Sequence, residues 1–265
     1  MKRRLLLIAV AGVLVLAAVA GGGAAWWHWD TGRQPQVRDV VATMNRAVAD
    51  IVVAAGPDAA VAVSPVVRTT DCRLGFLRTG GIFTARADLY TNPGGEDALI
   101  TAIGQRLPSG YDVTRGPAIA GTRSLQASGE ATVGVSVQRL SPGWLTVIAR
   151  SGCSLGKAAA PPPAPAGPAT AALTDLLGHL GTRPATVTEQ QVSCATGDIV
   201  TVAAVSQPVD SSGLAARLAA SVPAGATRFA AGDSNRVVYR AGTTSVIIAA
   251  SDDGTSVTAQ YTTLC

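Results

Sequence analysis

One stretch of sequence decides how the chain is divided: Lys157-Ala158-Ala159-Ala160-Pro161-Pro162-Pro163-Ala164-Pro165-Ala166-Gly167-Pro168. Its proline and alanine content is typical of a semi-extended linker, because proline fixes the backbone and neither residue builds a core. Two of the four cysteines precede it and two follow it. We therefore predict an N-terminal segment at residues 1–30, a first repeat at 31–156, a linker at 157–168 and a second repeat at 169–265.

The two halves share an order of predicted elements. Each begins with an amphipathic helix, near 37–55 in the first half and 170–180 in the second, with apolar residues at helical spacing. Each continues with an extended stretch that reaches a Cys, a strand, a second short helix followed by proline, and three or four further strands. The sequence predicts an α+β fold of two tandem related repeats. Each repeat has an antiparallel sheet, about two helices on one face and one disulfide, and an N-terminal transmembrane helix precedes both.

The cysteine spacing predicts one disulfide within each half. Cys72 and Cys153 are 81 residues apart, and Cys194 and Cys265 are 71 residues apart. An even number of cysteines beyond an export signal indicates disulfides. We predict the pairs Cys72–Cys153 and Cys194–Cys265; the alternative joins Cys72 to Cys194 and Cys153 to Cys265. Pairing within a half further predicts that the first and last strands of each sheet are neighbours.

The N-terminal segment predicts export. Three basic residues precede an apolar run, and the 23 residues Leu5–Trp27 carry no charge. This pattern predicts a single-pass signal anchor with a cytoplasmic N-terminus and an extracytoplasmic C-terminal region. Three tryptophans then fall at the outer membrane interface, a depth that the amphipathic Trp ring prefers: Trp26, Trp27 and Trp29. The alternative is a signal peptide cleaved after Ala20, which predicts a secreted protein.

The composition excludes few partners. The net charge is +4; the first half carries a small excess of arginine and the second a slight excess of acidic residues. Neither half is basic enough to predict a nucleic-acid partner. The alanine-, valine-, glycine- and arginine-rich composition resembles that of exported actinobacterial proteins.

Residues that could perform chemistry are sparse. His179 has no ligand or catalytic partner near it in sequence, and no two cysteines have zinc-site spacing, so we expect no metal and no cofactor. The stretch Gly232-Asp233-Ser234-Asn235 is similar to the nucleophile block of SGNH-type esterases, but no His follows it. The pairs Glu96-Asp97 and Asp252-Asp253 are interpreted as helix-start and turn residues.

The function predicted from the sequence is a non-catalytic binding module, tethered to the membrane outside the cytoplasm, whose partner is a protein, a cell-wall polymer or a lipid. Arg78 and Arg86 have the same parity on one predicted strand and would form a basic binding face. Two alternatives stay open. One is an exported hydrolase that uses Ser234, Glu96 or Glu130. The other is a carrier of an apolar ligand held among alanine- and valine-rich strands.

Overall fold

The computed structural model describes residues 35–74, 78–119, 122–128, 133–230 and 235–265, without the side chains of 117–119 and 122–123. Residues Val37–Cys265 form one compact unit. Four helices lie in the described ranges: α1 (Val37–Ala55), α2 (Glu96–Arg106), α3 (Pro168–His179) and α4 (Leu214–Ala220). The predicted membrane segment Leu5–Trp27, its tryptophans and the Ala20 cleavage site lie outside the described residues.

In the part of the chain that the structure describes, twelve strands form two antiparallel six-stranded sheets. The first-half strands are β1 (Ala60–Leu74), β2 (Arg78–Tyr90), β3 (Asp112–Ile119), β4 (Thr122–Ser128), β5 (Gly134–Ser141) and β6 (Trp144–Arg150). The second-half strands are β7 (Pro184–Cys194), β8 (Gly197–Ser206), β9 (Thr227–Phe229), β10 (Arg236–Ala241), β11 (Thr244–Ala250) and β12 (Val257–Thr263). The orders are β1-β2-β6-β5-β4-β3 and β7-β8-β12-β11-β10-β9, so corresponding strands occupy corresponding places. The α+β class predicted from the sequence agrees with this architecture.

Helix α1 joins the two sheets through one hydrophobic core. Its buried side chains recur at helical spacing, among them Val40, Met44, Val48 and Ile51. The helix packs against β2 and β6 of the first sheet and also against β7 of the second. The stretch Val37–Asp58 is long and apolar enough to span a membrane, but half of it is buried inside the fold. Its apolar side chains are therefore explained by the core they build.

The helices of each half cover only one face of that half's own sheet. In the first sheet, α1 packs on β2 and β6 while α2 packs on β4; in the second, α3 packs on β8 and β12 while α4 packs on β10. The opposite faces, which we call helix-free because no helix of the same half packs on them, meet in a small second core; on the second sheet, α1 of the first half packs on this face at Val192 and Ile199. Ala60 and Ala62 of β1 contribute to it from the first half, and Phe229, Val238 and Ile247 contribute from the second. Small alanine side chains allow the strand to approach the other sheet closely.

A threonine hydroxyl group of the second sheet accepts a hydrogen bond from the edge of β1. The Val63 backbone N–H donates to Thr201 Oγ1 at 3.2 Å, and Thr201 Oγ1 lies 2.9 Å from Thr262 Oγ1. Both threonines are buried. An edge strand leaves backbone donors without a partner strand, and this donor is satisfied by the neighbouring sheet instead. The buried first half of β1 is therefore protected, whereas its second half, beyond Pro65, is exposed.

Both disulfides form within the halves, as the cysteine spacing predicts. The Cα atoms are 5.9 Å apart in Cys72–Cys153 and 6.9 Å apart in Cys194–Cys265. The expected adjacency of first and last strands is wrong, because β2 lies between β1 and β6 and β8 lies between β7 and β12.

A glycine lies at the place where each bridge crosses the intervening strand. Gly80 pairs with Cys72 across β1 and β2, and Gly197 pairs with Cys194 across β7 and β8. A Cβ atom on Gly80 would lie 2.9 Å from Cys153 Sγ, so the bridge passes through the space that a side chain would occupy. At Gly197 the nearest atom to such a Cβ is Cys265 Cβ, at 3.6 Å.

The linker follows the outer edge of β7. Pro163 pairs with Thr188, the Glu189 N–H donates to the Pro162 carbonyl oxygen at 3.0 Å, and the Ala164 N–H donates to the Val187 carbonyl oxygen at 3.2 Å. The linker is held at residues 162–164, where it pairs with an otherwise open sheet edge.

Candidate functional site

The helix-free face of the first sheet carries both arginines that the sequence pattern selected. On β2 the odd positions from Phe83 to Leu89 are buried under the helices, whereas Arg78 and Arg86 are at even positions. Eight residues of strand separate them by roughly 26 Å. They therefore share a face but do not form one site.

Arg86 belongs to a group of five side chains, which we call the junction cluster: Arg86, Asp88, Tyr90, Trp144 and Arg236. Arg86 Nε and Nη2 donate to Asp88 Oδ1 at 3.0 and 2.8 Å, and Trp144 Nε1 donates to the same oxygen at 3.1 Å. The Trp144 and Tyr90 rings stack with centroids 5.6 Å apart. Three donors on one carboxylate oxygen fix the orientations of Arg86 and the indole together.

Arg236 brings the second half into this cluster. It begins β10, and its guanidinium carbon lies 4.1 Å from the Trp144 ring centroid and 5.7 Å from that of Tyr90. Arg86 approaches the same Trp144 ring at 5.9 Å. Cation–π attraction favours both positions. Two cationic side chains, one from each half, are thus held around a half-buried tryptophan where the helix-free faces meet.

Glu96 positions the turn that precedes Trp144. It is 3% exposed; Oε1 accepts the Gly143 N–H at 2.6 Å and Oε2 accepts the Gly94 N–H at 2.8 Å. Burial alone would raise the pKa of Glu96, but these backbone hydrogen bonds and Arg139, 3.7 Å away, outweigh it and lower the pKa. Both carboxylate oxygens of Glu96 accept hydrogen bonds from backbone N–H groups, which suits a residue that positions the turn better than a catalytic base.

Gly143 allows this turn to reach the second half. Its φ is 75°, and a Cβ there would lie 2.5 Å from the Ala230 carbonyl oxygen and 2.7 Å from the Thr91 carbonyl oxygen. The Gly143 carbonyl oxygen also accepts the Thr91 N–H at 2.9 Å. Only glycine has both the backbone conformation and the space for this approach. The turn before Trp144 is therefore held by hydrogen bonds to Glu96 and Thr91 and by close packing against Ala230.

Another contact between the halves is made by Arg240 of β10. Its Nη1 donates to the carbonyl oxygens of Gly56 at 2.7 Å and Ala59 at 3.0 Å, which follow α1. Burial lowers the pKa of Arg240, an effect that the nearby Asp58 opposes. Two carbonyl groups in the turn that follows α1 thereby accept hydrogen bonds from a side chain of the other half.

An apolar groove of about 380 Å³ lies between β1 and the start of the linker. Its walls include Val66, Phe83 and Ala158, with Lys157 at its rim, and Val67 beside it is 54% exposed. Two register shifts in β1, between Ser64 and Val67 and between Arg68 and Thr70, bend the strand edge here. A groove of this size is within the range of small-molecule sites.

The other candidate residues of the sequence are placed apart from these sites. His179 is exposed at the end of α3, and Asp252 and Asp253 are exposed in the turn before β12. Hydrogen bonds from Ser251 and Thr255 lower the pKa of Asp253 to about 2. Ser234 and Glu130 lie outside the described residues. Within the described ranges, His, Cys, Asp and Glu form no group of three that could hold a metal ion.

Sequence reasoning missed most of the junction cluster. Trp144 is the only tryptophan beyond residue 29, and Asp88 and Tyr90 share the parity of Arg86 on one strand. These two signals could have identified the first-half members. Arg236 could not be found in this way, because its position depends on how the two sheets pack.

Comparison with known proteins adds no argument about function. No family model and no curated protein matches the chain. Among solved structures, a complex of Pseudomonas aeruginosa MucA and MucB aligns over 81% of this chain and 91% of that chain, with 10% identity and a TM-score of 0.14. A TM-score this low carries no inference about the fold or the function.

Proposed function

We propose that the protein is a non-catalytic binding module, tethered to the membrane and located outside the cytoplasm, whose binding site is the junction cluster. The observation that carries the proposal is the pair of arginines, one from each half, around the half-buried Trp144. Arginine and tryptophan are enriched where proteins bind partners, because they combine large contact areas with hydrogen-bond donors. The cluster is also braced by Glu96 and Gly143, as a pre-organised site requires.

Export and tethering are supported by the sequence and by the disulfides. Two disulfides are typical of proteins that fold in an oxidising compartment. The run Leu5–Trp27 follows basic residues and is long enough to cross a bilayer. Since the apolar residues of α1 are used in the core, we assign the tether to Leu5–Trp27.

The two halves are proposed to descend from one duplicated unit. Supporting observations are the equivalent strand orders and the equivalent placement of each disulfide across a glycine. In each half a Cys on the first strand pairs with a Gly on the second strand, and the partner Cys follows the last strand. Both halves have this arrangement at matching places, which independent origins would have to reproduce separately.

The test is recovery of a partner from detergent-solubilised native membranes and wall extracts with the full chain as bait. We expect a specific partner whose recovery falls at least tenfold when Trp144→Ala and Arg236→Gln are combined. Arg183→Gln is the matched control, because Arg183 is exposed and lies between α3 and β7. A folded bait that recovers nothing, or recovers the same partner with all variants, would contradict the proposal.

A second candidate function, a carrier of an apolar ligand, is favoured by the groove between β1 and the linker. Its apolar walls and its volume of about 380 Å³ suit part of an acyl chain. Native mass spectrometry of the purified chain tests it, with Val67→Asp as the variant expected to lose the ligand. Absence of a co-purifying lipid, together with no uptake of added fatty acid, would count against this function.

A further inference from the structure

Arg236 has no anionic partner within the described part of the chain. Its guanidinium lies over Trp144 and Tyr90, and its Nε is buried without a hydrogen-bond acceptor. A guanidinium has five N–H donors and no acceptor, and it keeps its charge at all physiological pH values. Aromatic rings attract the charge but leave the in-plane donors unused. The arrangement therefore leaves directed, charged donors available at the junction.

Arg86 supplies a second cation near the same ring. Its Nε and Nη2 are used by Asp88, whose side chain is only 13% exposed, whereas the Arg86 side chain is 41% exposed. The guanidinium carbons of Arg86 and Arg236 lie 5.9 and 4.1 Å from the Trp144 ring centroid, and the sum of these two distances is the largest separation that they can have. Because Asp88 neutralises one of the two positive charges, the cluster retains a net charge that one negative group would balance.

We propose that Arg236 and Arg86, whose guanidinium carbons lie 4.1 and 5.9 Å from the Trp144 ring centroid, bind an oxyanion group, a carboxylate or a phosphate, of the partner. The inference rests on the proposed function and specifies the chemistry of its ligand. Planar guanidinium groups match the oxygen geometry of carboxylates and phosphates, and hydrogen bonds between two charged groups are the strong ones. The Trp144 ring supplies an adjoining surface for the apolar part of the ligand.

Trp144 fluorescence provides a direct test. In the full chain, Trp26, Trp27 and Trp29 are replaced by phenylalanine, which leaves Trp144 as the sole tryptophan. The protein is titrated in uncharged detergent with inorganic pyrophosphate or with citrate, and sodium chloride holds the ionic strength constant. We expect a saturable change in Trp144 emission with at least one of these two probes, and the more effective probe identifies phosphate or carboxylate as the preferred group.

Variants in the same background assign the response to the guanidinium groups. Arg236→Gln should weaken the response at least tenfold, Arg236→Lys should weaken it less because the charge remains, and Arg183→Gln should leave it unchanged. Circular dichroism establishes that each variant is folded. The inference is wrong if neither probe produces a saturable change, or if Arg236→Gln responds as strongly as the parent protein.

The outcome is independent of partner recovery from membranes. If a partner is captured through Trp144 while neither oxyanion binds, the binding module stands and its ligand chemistry is wrong. If an oxyanion binds but no partner is recovered from membranes or wall extracts, the site stands and the proposed function fails.

Discussion

The two halves of the molecule have the same strand order but use their helix-free faces differently. In the second sheet this face receives β1: Thr201 accepts the Val63 N–H, and Val238 and Ile247 pack against Ala60 and Ala62. In the first sheet the same face carries Arg86 and the half-buried Trp144. The second-sheet face is used mainly for packing and contributes Arg236 to the junction cluster, whereas the first-sheet face holds the other four members of that cluster.

The first helix and the first strand are longer in the first half than in the second. Helix α1 has 19 residues and α3 has 12, while β1 has 15 residues and β7 has 11. The longer first-half elements are the ones that reach across, because α1 contacts β7 and β1 crosses the second sheet. The comparison teaches that two equivalent sheets become one unit when elements of one are long enough to pack on the other.

Removing one disulfide at a time tests the equivalence of the halves with the largest expected effect. Replacing both Cys72 and Cys153 by serine should lower the free energy of unfolding by about 2–5 kcal/mol, and replacing Cys194 and Cys265 should cost a similar amount. The closed loops are comparable, with separations of 81 and 71 residues. Urea unfolding measures both. If only one of the two disulfides contributed to the free energy of unfolding, the two halves would not be equivalent in this respect.

Glu96→Gln tests a feature that only the first half has. Glu96 begins α2, whereas the first turn of α4, the corresponding helix of the second half, has no acidic residue. Glutamine has one acceptor oxygen, so one of the N–H groups of Gly143 and Gly94 would face an amide donor. We expect a loss of about 1.5–3 kcal/mol, as for buried hydrogen bonds to a charged group. Asp97→Asn, at an exposed position of the same turn, is the control and should change stability far less.

The pH dependence of the same variant gives a second readout. Because the pKa of Glu96 is lowered in the folded protein, its carboxylate stabilises the fold above its ordinary pKa of 4.5. This contribution is lost as the pH falls below that value through the folded pKa. The parent protein should therefore lose its advantage over Glu96→Gln on acidification. A difference that stays constant from pH 7 to pH 3 would contradict the assigned role.

Alanine substitutions at Gly80 and Gly197, the glycines beneath the two disulfides, compare the halves through a smaller change in the free energy of unfolding. In Gly80→Ala the new Cβ would lie 2.7 Å from Leu74 Cδ1 and 2.9 Å from Cys153 Sγ, and we expect a cost of about 1–3 kcal/mol from overpacking. In Gly197→Ala the nearest contact is an ordinary 3.6 Å, so stability should change by less than about 1 kcal/mol. Equal costs in urea unfolding would show that the two bridges cross their strands in the same way.

Local patterns predicted the elements and the disulfide pairing well. The helix at 37–55 follows from apolar spacing and the Gly56-Pro57 stop, and the pairing follows from the linker between two cysteine pairs. Strand adjacency did not follow, because a pairing constraint is met equally by neighbouring strands and by strands on either side of a glycine. Gly80 was visible in the sequence, but its role depends on the register of β1 and β2.

The candidate site was predicted only in part for a related reason. The parity of Arg78 and Arg86 predicted that they share a face of β2, and both lie on the face opposite the buried odd positions. Glu96 was interpreted as a charge at a helix start, although its oxygens also bind Gly143, 47 residues away. Arg236 enters the cluster through sheet-on-sheet packing. Contacts of this range depend on tertiary arrangement, which periodicity and spacing do not encode.

The central claim, that the partner binds at the junction cluster and not at the exposed part of the second sheet's helix-free face, is tested most directly by hydroxyl-radical footprinting. The chain alone and the chain with its recovered partner are compared in the same detergent. Trp144 and Ile148 report the first sheet, and Val205, which is 44% exposed, reports the second. We predict reduced oxidation of Trp144 and Ile148 with Val205 unchanged. Protection of Val205 without protection of Trp144 would contradict the claim.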